Sequence, residues 1–428
     1  MTVMAQPKSR AAGHPLRVWD YLTLNVYWFA LSFLWNSMGP LLLPTMVALL
    51  VPESQKGSAV GLVSALGLIV AIVVQPLAGA WSDSRTTRWG RRRPYIVGGT
   101  LFDVAFLLLM VFSGNYLLLA VGYLLLQTSS NIAHGPYQGY IPELVPESKR
   151  GAVTGVKQVL EIIGIIITSL AVGNLVGQGQ ILAAFVAIIL FLLFTMAITA
   201  IFVTEKPFDG ASPPATESAA AATPGRSPLQ VLFYSRGFFL WLVSRLLILT
   251  AANLVRNYIL YFLKDVLAVP NPAAEAGNLL AIIAVAIALV AYPAGPFSDR
   301  WGRKRVVILS GILGAIGALL LMSATTMTMV LIDGGLVGLS MGIFLTASWA
   351  WGADLMPAGE GGRYFGISNI ATAGAGVLAG AGGFMLDFFN AQSPNGGYAV
   401  LFLAAAVCYV VGTVVVLGVP DRRLKTGS

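Results

Sequence analysis

The sequence predicts an all-α membrane protein: twelve transmembrane helices in two pseudo-symmetric six-helix bundles. Three observations carry this. Hydrophobic residues make up 57% of the 428 residues and charged residues only 10%. A soluble domain has about 25% charged residues, so most of this surface must face lipid. Twelve apolar runs are long enough to cross about 30 Å of hydrocarbon at 1.5 Å per residue. Finally, one basic stretch occurs twice, each time between two such runs. The copies are Gly79-Ala-Trp-Ser-Asp83-Ser-Arg-Thr-Thr-Arg-Trp-Gly90-Arg-Arg-Arg93-Pro94 and Gly295-Pro-Phe-Ser-Asp299-Arg-Trp-Gly302-Arg-Lys-Arg305.

In order, the predicted spans are 20–50, 57–81, 95–113, 116–140, 152–177, 181–203, 236–263, 273–297, 306–325, 327–353, 364–389 and 397–419. The eleventh is dominated by Gly and Ala, residues that suit close helix packing. The segment 204–235, rich in Pro, Ala, Ser, Thr and Gly, reads as a cytoplasmic linker. It divides the chain into an N-terminal bundle (1–203) and a C-terminal bundle (236–428).

Orientation follows from the loops. One side holds Lys8, Arg10, Arg17, the five arginines from Arg85 to Arg93, Lys149, Arg150, Lys206, Arg226, Arg236, Arg300, Arg303 to Arg305, Arg363, Arg422, Arg423 and Lys425. The other side holds little beyond Lys56 and Lys264. By the positive-inside rule both termini are cytoplasmic, in the cell (inner) membrane. The net charge of +8 therefore marks membrane orientation and not nucleic-acid binding. The single cysteine, Cys408, rules out an internal disulfide. Two histidines, His14 and His134, are too few for a histidine metal centre, and no cofactor is expected. No cleavable signal peptide is visible.

The duplication extends beyond the basic loops. Glu143-Leu-Val-Pro146 followed by Gly155 aligns without a gap on Asp354-Leu-Met-Pro357 followed by Gly366. These residues resemble the major facilitator superfamily. Its hallmark is a Gly-x-x-x-Asp-(Arg/Lys)-x-Gly-(Arg/Lys)-(Arg/Lys) loop between helices two and three, echoed between helices eight and nine. The longer first loop, and the stretch Asn131-Ile-Ala-His-Gly135-Pro136-Tyr-Gln-Gly-Tyr-Ile-Pro-Glu143-Leu, are similar to the glycoside–pentoside–hexuronide:cation symporters and the related sucrose–proton symporters. Where the sucrose branch has an Asp and an Arg, serving proton coupling and sugar binding, this chain has Gln127 and Gln138. The resemblance implies the major facilitator fold. It also implies that the basic loops brace the bundles at the cytoplasmic side, with Asp83, Arg91, Glu143, Asp299, Arg303 and Asp354 as the gating set.

Ionisable groups inside a membrane helix are costly and usually functional. Asp103, Glu161 and Arg245 all lie roughly 13 Å from the cytoplasmic helix ends at 1.5 Å per residue. Lys157 precedes Glu161 by four residues and shares its helix face. Glu161 is the first candidate proton carrier and Asp103 the second; the bland alternative is a permanent ion pair of Glu161 with Lys157 or Arg245. Sugar binding needs aromatic faces and polar groups. Asn25, Trp28 and Asn36 fall close to one face of helix one; Gln127, Asn131, His134 and Gln138 form a stripe on helix four. Lys157, Arg245, Asn257, Tyr258, Trp349 and Asn369 complete the substrate-binding candidates.

The expected function is secondary active transport of a small polar solute, a sugar or glycoside, in symport with protons, with sodium as the alternative coupling ion. Efflux of an amphipathic metabolite or drug is the second reading. A third is a non-transporting membrane protein that assists assembly, against which the midplane charges argue. No phosphate-binding loop and no nucleophile–base spacing suggests an enzyme. The expected partners are the solute, the proton and the lipid bilayer, and the chain is expected to be a monomer.

Overall fold

The computed structural model describes residues 18–84, 87–205, 236–355 and 361–420, with backbone only for Val18, Glu147 and residues 361–367. All but two residues of the expected linker 204–235 lie outside the described residues. So do Lys8, Arg10, His14, Arg17, Arg85, Lys206, Arg226, Pro357, Arg422, Arg423 and Lys425.

Twelve helices long and apolar enough to cross a membrane follow one another: α1 (Trp19–Leu50), α2 (Glu53–Ser84), α3 (Arg93–Val111), α4 (Tyr116–Leu144), α5 (Ser148–Gly177) and α6 (Ile181–Phe202), then α7 (Arg236–Asp265), α8 (Pro272–Trp301), α9 (Arg303–Ser323), α10 (Met327–Leu355), α11 (Ser368–Gln392) and α12 (Gly396–Leu417). Their limits agree with the sequence expectation to within a few residues. The chain is a multi-pass membrane protein. The end of the bundle carrying the basic loops is called the basic end below, and the opposite one the far end.

The sequence duplication is matched at the basic end by a glycine conformation and a serine hydrogen bond. Gly90 and Gly302 both take positive φ, +111° and +102°, a region that glycine enters without a Cβ clash. In both copies the serine hydroxyl donates to the carbonyl three residues back, Ser82 to Gly79 and Ser298 to Gly295, each at 2.8 Å. The two loops share these features although the first is longer and closes with a Thr87–Gly90 bridge, while in the second Gly302 joins the two helices directly.

α1 is not a regular helix. It turns at Leu24 and Asn25 and contains a π-helical turn at Met38–Leu42. Pro40 sits inside that turn and has no N–H to offer an α-type bond.

The first six helices meet the last six chiefly through α2 with α11 and α5 with α8. Small residues allow it: a methyl group added to Gly61 or Gly380 would strike the other's backbone carbonyl, and Gly57 faces Gly383 in the same way. Gly173 packs on Gly277 between α5 and α8. Without a hydrophobic drive between helices in lipid, such backbone approach supplies the packing. Among the described residues these glycine contacts reach from the far end as far as Leu68 against Gly376, about the middle of α2.

Candidate functional site

At the basic end the structure gathers all six residues of the expected gating set into two equivalent triads. Arg91 lies 2.6 Å from Asp83 and 3.1 Å from Glu143. Arg303 stands in the same relation to Asp299, at 3.3 Å, and to Asp354, at 2.6 Å. The described ion pairs of each triad stay within one set of six helices.

Arg92, which sequence reasoning did not single out, is more deeply placed. It bonds both carboxylate oxygens of Glu143 at 2.8 and 2.6 Å, Asp83 at 2.9 Å and the Pro136 carbonyl at 2.7 Å. Burial alone would lower its proton affinity, but Glu143 and Asp83 outweigh it and hold its pKa above the ordinary arginine value.

Glu205 was also missed, because its neighbourhood reads as linker. Its carboxylate accepts from the backbone N–H groups of Arg91, Arg92 (3.0 Å) and Arg93 (2.7 Å), and from the Tyr140 hydroxyl (2.7 Å). It therefore caps the positive start of α3. Glu205→Ala should remove about 1–2 kcal/mol, the value of a helix cap. A lower melting temperature of the purified protein in detergent checks this; an unchanged one would show the cap to be dispensable.

Deeper in, the structure brings Trp28, His134, Gln138, Lys157 and Glu161 together. Lys157 Nζ is 3.5 Å from Glu161 and 3.7 Å from the centre of the Trp28 ring. His134 meets the Trp28 ring edge-on at 5.0 Å and lies in hydrogen-bond reach of Gln75 (3.3 Å) and Gln138 (2.9 Å). Ser32 donates to the Glu161 carbonyl at 2.8 Å, fixing α1 against α5. Gln138 is exposed, and Lys157 and Glu161 are each about a quarter exposed. Ionisable groups within a membrane span usually face the bundle interior or a water-filled cavity.

A second polar layer lies nearer the far end. Gln127 donates to the Tyr123 hydroxyl at 3.1 Å, and Asn131 donates to the Gln127 carbonyl at 2.7 Å. Trp35 packs edge-on to Tyr123. Arg256 crosses from α7 to α1 and donates to Asn36 Oδ1 at 2.7 Å.

Other candidates stand elsewhere. Asn25 is fully buried and ties α1 to α5 by donating to the Tyr21 and Val153 carbonyls at 2.8 and 3.1 Å; the turn at the start of α1 takes it off the face shared by Trp28 and Asn36. Asp103 has no exposed surface and accepts from Ser129 between α3 and α4. Arg245, 2% exposed, lies under the Trp349 ring at 4.9 Å and near Ser348 at 3.4 Å. Of the two partners envisaged for Glu161, the structure therefore supplies Lys157 and not Arg245. Tyr258 donates to Gly380 at 3.0 Å where α7 meets α11. Asn257 is half-buried, and Asn369 is exposed on α11.

The far end is shut by charges of which sequence reasoning named only Lys56, and that as a loop residue. Lys56, 2% exposed, lies 2.5 Å from Asp265 on α7 and bonds Glu53. Asp265 also accepts from Tyr398. Asp387 on α11 accepts from backbone N–H groups in the first α-helical turn of α2, which follows a 3-10 turn at Glu53–Gln55: Gly57 at 3.0 Å and Ser58 at 2.6 Å. The Tyr261 hydroxyl donates to the Pro44 carbonyl at 2.8 Å. Each of these except the Glu53 and Tyr398 bonds joins the first six helices to the last six.

A groove of about 830 Å³ between α5, α8 and α10 is apolar apart from Asn278 and Asp333, and does not suit a polar solute. Among the described residues no group of three or more His, Cys, Asp and Glu is placed to hold a metal.

The family model described as MFS/sugar transport protein matches residues 56–419. The sucrose transport protein SUT1 of Oryza sativa subsp. japonica is 27% identical over 213 residues, covering 39% of this chain and 38% of that protein. A lactose permease of Lactobacillus helveticus is 26% identical over 287 residues, covering 60% of this chain and 43% of the permease. The matches thus span about two fifths of the length of these curated relatives. Among solved structures, the nucleoside transporter NupG has a TM-score of 0.73 at 16% identity, covering 93% of this chain and 98% of NupG. At that identity the likeness speaks for the fold alone.

Proposed function

The chain belongs to the MFS/sugar transport protein family, and on that footing we propose that it is a secondary active transporter moving a small polar solute, a sugar or glycoside, together with protons. One observation supports this most: Trp28, His134, Gln138, Lys157 and Glu161 form a polar, partly exposed cluster at membrane depth, below a shut far end. In this reading the two units, 1–203 and 236–428, rock about that cluster, joined by the linker 204–235. The basic end is the cytoplasmic end of a cell membrane protein, and the structure corresponds to an inward-facing state.

The roles follow from the chemistry. Trp28 offers an aromatic face, and Gln138, His134, Asn131 and Gln127 offer donors and acceptors for hydroxyl groups. Lys157 covers the Trp28 face, so a sugar ring stacking there must displace the ammonium. A nearby cation makes a carboxylate release its proton more readily. Movement of Lys157 relative to Glu161 therefore loads or unloads the proton. Asp103, closed off inside the first six helices, is the reserve carrier. The triads of Asp83, Arg91 and Glu143 and of Asp299, Arg303 and Asp354 act as gating elements, holding their helix ends rigid while the two units tilt.

Uptake of labelled sugars into proteoliposomes, with and without an imposed proton gradient, tests the proposal. Gradient-dependent accumulation of at least one glycoside is expected. Passive or absent uptake across the whole panel would overturn it.

A further inference from the structure

One buried carboxylate belongs neither to the central cluster nor to the closures at the two ends. Asp333 is 7% exposed. It lines the groove of about 830 Å³ between α5, α8 and α10, and among the described residues its carboxylate has no hydrogen-bond or ion-pair partner. The far-end lysines are engaged elsewhere: Lys56 with Asp265 and Glu53, and Lys264 with Glu53. A buried charge at membrane depth is costly unless something pairs with it.

Depth and shape narrow what that partner is. α8 and α10 both start at the far end. Asn278 stands six residues after Pro272, and Asp333 six residues after Met327, so each is about 9 Å along its helix at 1.5 Å per residue. α10 has 29 residues and is about 43 Å long, against about 30 Å of hydrocarbon. Both polar groups therefore sit just inside the edge of the hydrocarbon layer. Side chains on a helix lean toward its N-terminus, here toward the head groups of the far leaflet. Asn278 follows that rule, since its amide donates to Glu275 one turn nearer the far end, at 3.3 Å. Deeper along the groove the walls are apolar, with Val285 and Leu289 on α8 and Leu336 and Leu339 on α10. The rim is apolar and exposed, Leu289 by 69% and Ile332 by 67%, as on a lipid-facing surface.

We infer that the groove seats a phospholipid of the far leaflet whose head group carries a primary ammonium. The ammonium rests on Asp333, and one acyl chain lies along the apolar walls. A polar point at the head-group edge above an apolar slot has the layout of a lipid and not of a sugar. A negative point selects a cationic head, and Glu275 beside Asn278 adds to the repulsion of an anionic one. An ammonium with N–H groups suits it better than a trimethylated one, because a carboxylate accepts charge-assisted hydrogen bonds. Ile166 and Leu170 bring α5 into the same wall, so the lipid touches both sets of six helices. The inference concerns the outer wall and is independent of which solute is carried.

The test offers the full chain in detergent equal amounts of dioleoyl phosphatidylethanolamine and dioleoyl phosphatidylcholine. Native mass spectrometry then counts the species holding one lipid. The two lipids share their chains and phosphate and differ in the N–H groups of the head. A charge-assisted hydrogen bond gives the ethanolamine lipid a preference of roughly tenfold. Asp333→Asn should bring the ratio to about one, and Asp333→Glu should retain part of the preference. A Cβ at Gly335 would meet only Ile282, at 3.7 Å, so Gly335→Leu puts its side chain into the groove and should lower retention of both lipids severalfold. Melting temperatures read in the same samples separate loss of lipid from loss of fold. Equal retention of the two lipids by the wild-type protein, a preference that survives Asp333→Asn, or retention untouched by Gly335→Leu would each overturn the inference. So would displacement of the phospholipid by an equal amount of dodecylamine, which has an ammonium and one chain but no glycerophosphate.

Discussion

Glu161→Gln abolishes accumulation of solute against its gradient and leaves exchange across the membrane intact. The amide keeps the size and hydrogen-bonding reach of the acid but cannot take up or release a proton. Lys157 loses its carboxylate 3.5 Å away and keeps the Trp28 face, so the binding surface is preserved. A proton gradient of one pH unit holds about 1.4 kcal/mol, enough to drive roughly tenfold accumulation with one proton per solute. In the variant the steady-state ratio should fall to about one. Counterflow, which needs only loaded carriers moving in both directions, should change by less than about threefold. Proteoliposomes loaded with unlabelled sugar and given labelled sugar outside measure both. Normal accumulation in the variant would remove Glu161 as the carrier and transfer the role to Asp103. Loss of exchange as well would make Glu161 a binding residue.

Asp265→Asn should open the far end. The Lys56 ammonium is 2% exposed and rests on Asp265 at 2.5 Å. Neutralising that partner leaves the ammonium buried with Glu53, whose side chain is mostly exposed, and the Tyr261 ring 4.9 Å away. Breaking a buried pair from one side costs about 3–5 kcal/mol. Because Glu53 still compensates in part, about 3 kcal/mol is expected, or roughly a hundredfold in the ratio of closed to open far ends. Asp387→Asn should act in the same direction more weakly, by about 1 kcal/mol, since it removes an anion from the positive start of α2. The measurement is a distance distribution between spin labels at Ser54 and Gln392, both exposed, after replacing Cys408 by Ala. A shift to longer distances in Asp265→Asn, larger than in Asp387→Asn, is expected. An unchanged distribution would show that the Lys56–Asp265 pair is dispensable and that the Asp387 and Tyr261 bonds and the glycine contacts hold this end without it.

The two experiments address opposite ends of one cycle. Glu161 decides whether a gradient can do work on the solute. Lys56, Asp265 and Asp387 decide how readily the far side yields. If the transport reading holds, a far end that opens too easily should raise exchange and lower the accumulated level, because empty carriers leak the gradient.

What the sequence settled by itself was one-dimensional. Span lengths and the repeated basic loop were legible, because hydrophobic length and charge spacing are properties of neighbours along the chain; the triads, whose Glu143 and Asp354 lie on helices that do not carry their arginines, were reached through the family resemblance. The match of Ser82 with Ser298, and of Gly90 with Gly302, is that regularity expressed in atoms. The Lys157–Glu161 pair was legible too, since four residues on a helix fix which side chains meet. Only the tertiary structure could decide what faces what between helices. It took Asn25 out of the wall by turning α1, gave Arg245 to Trp349 instead of Glu161, and drew Glu205 from the edge of a polar segment onto the start of α3. It also made Lys56 and Asp265, 209 residues apart, into one closure. No local periodicity encodes such a contact; it arises because small residues let two sets of helices approach until their polar ends must satisfy one another.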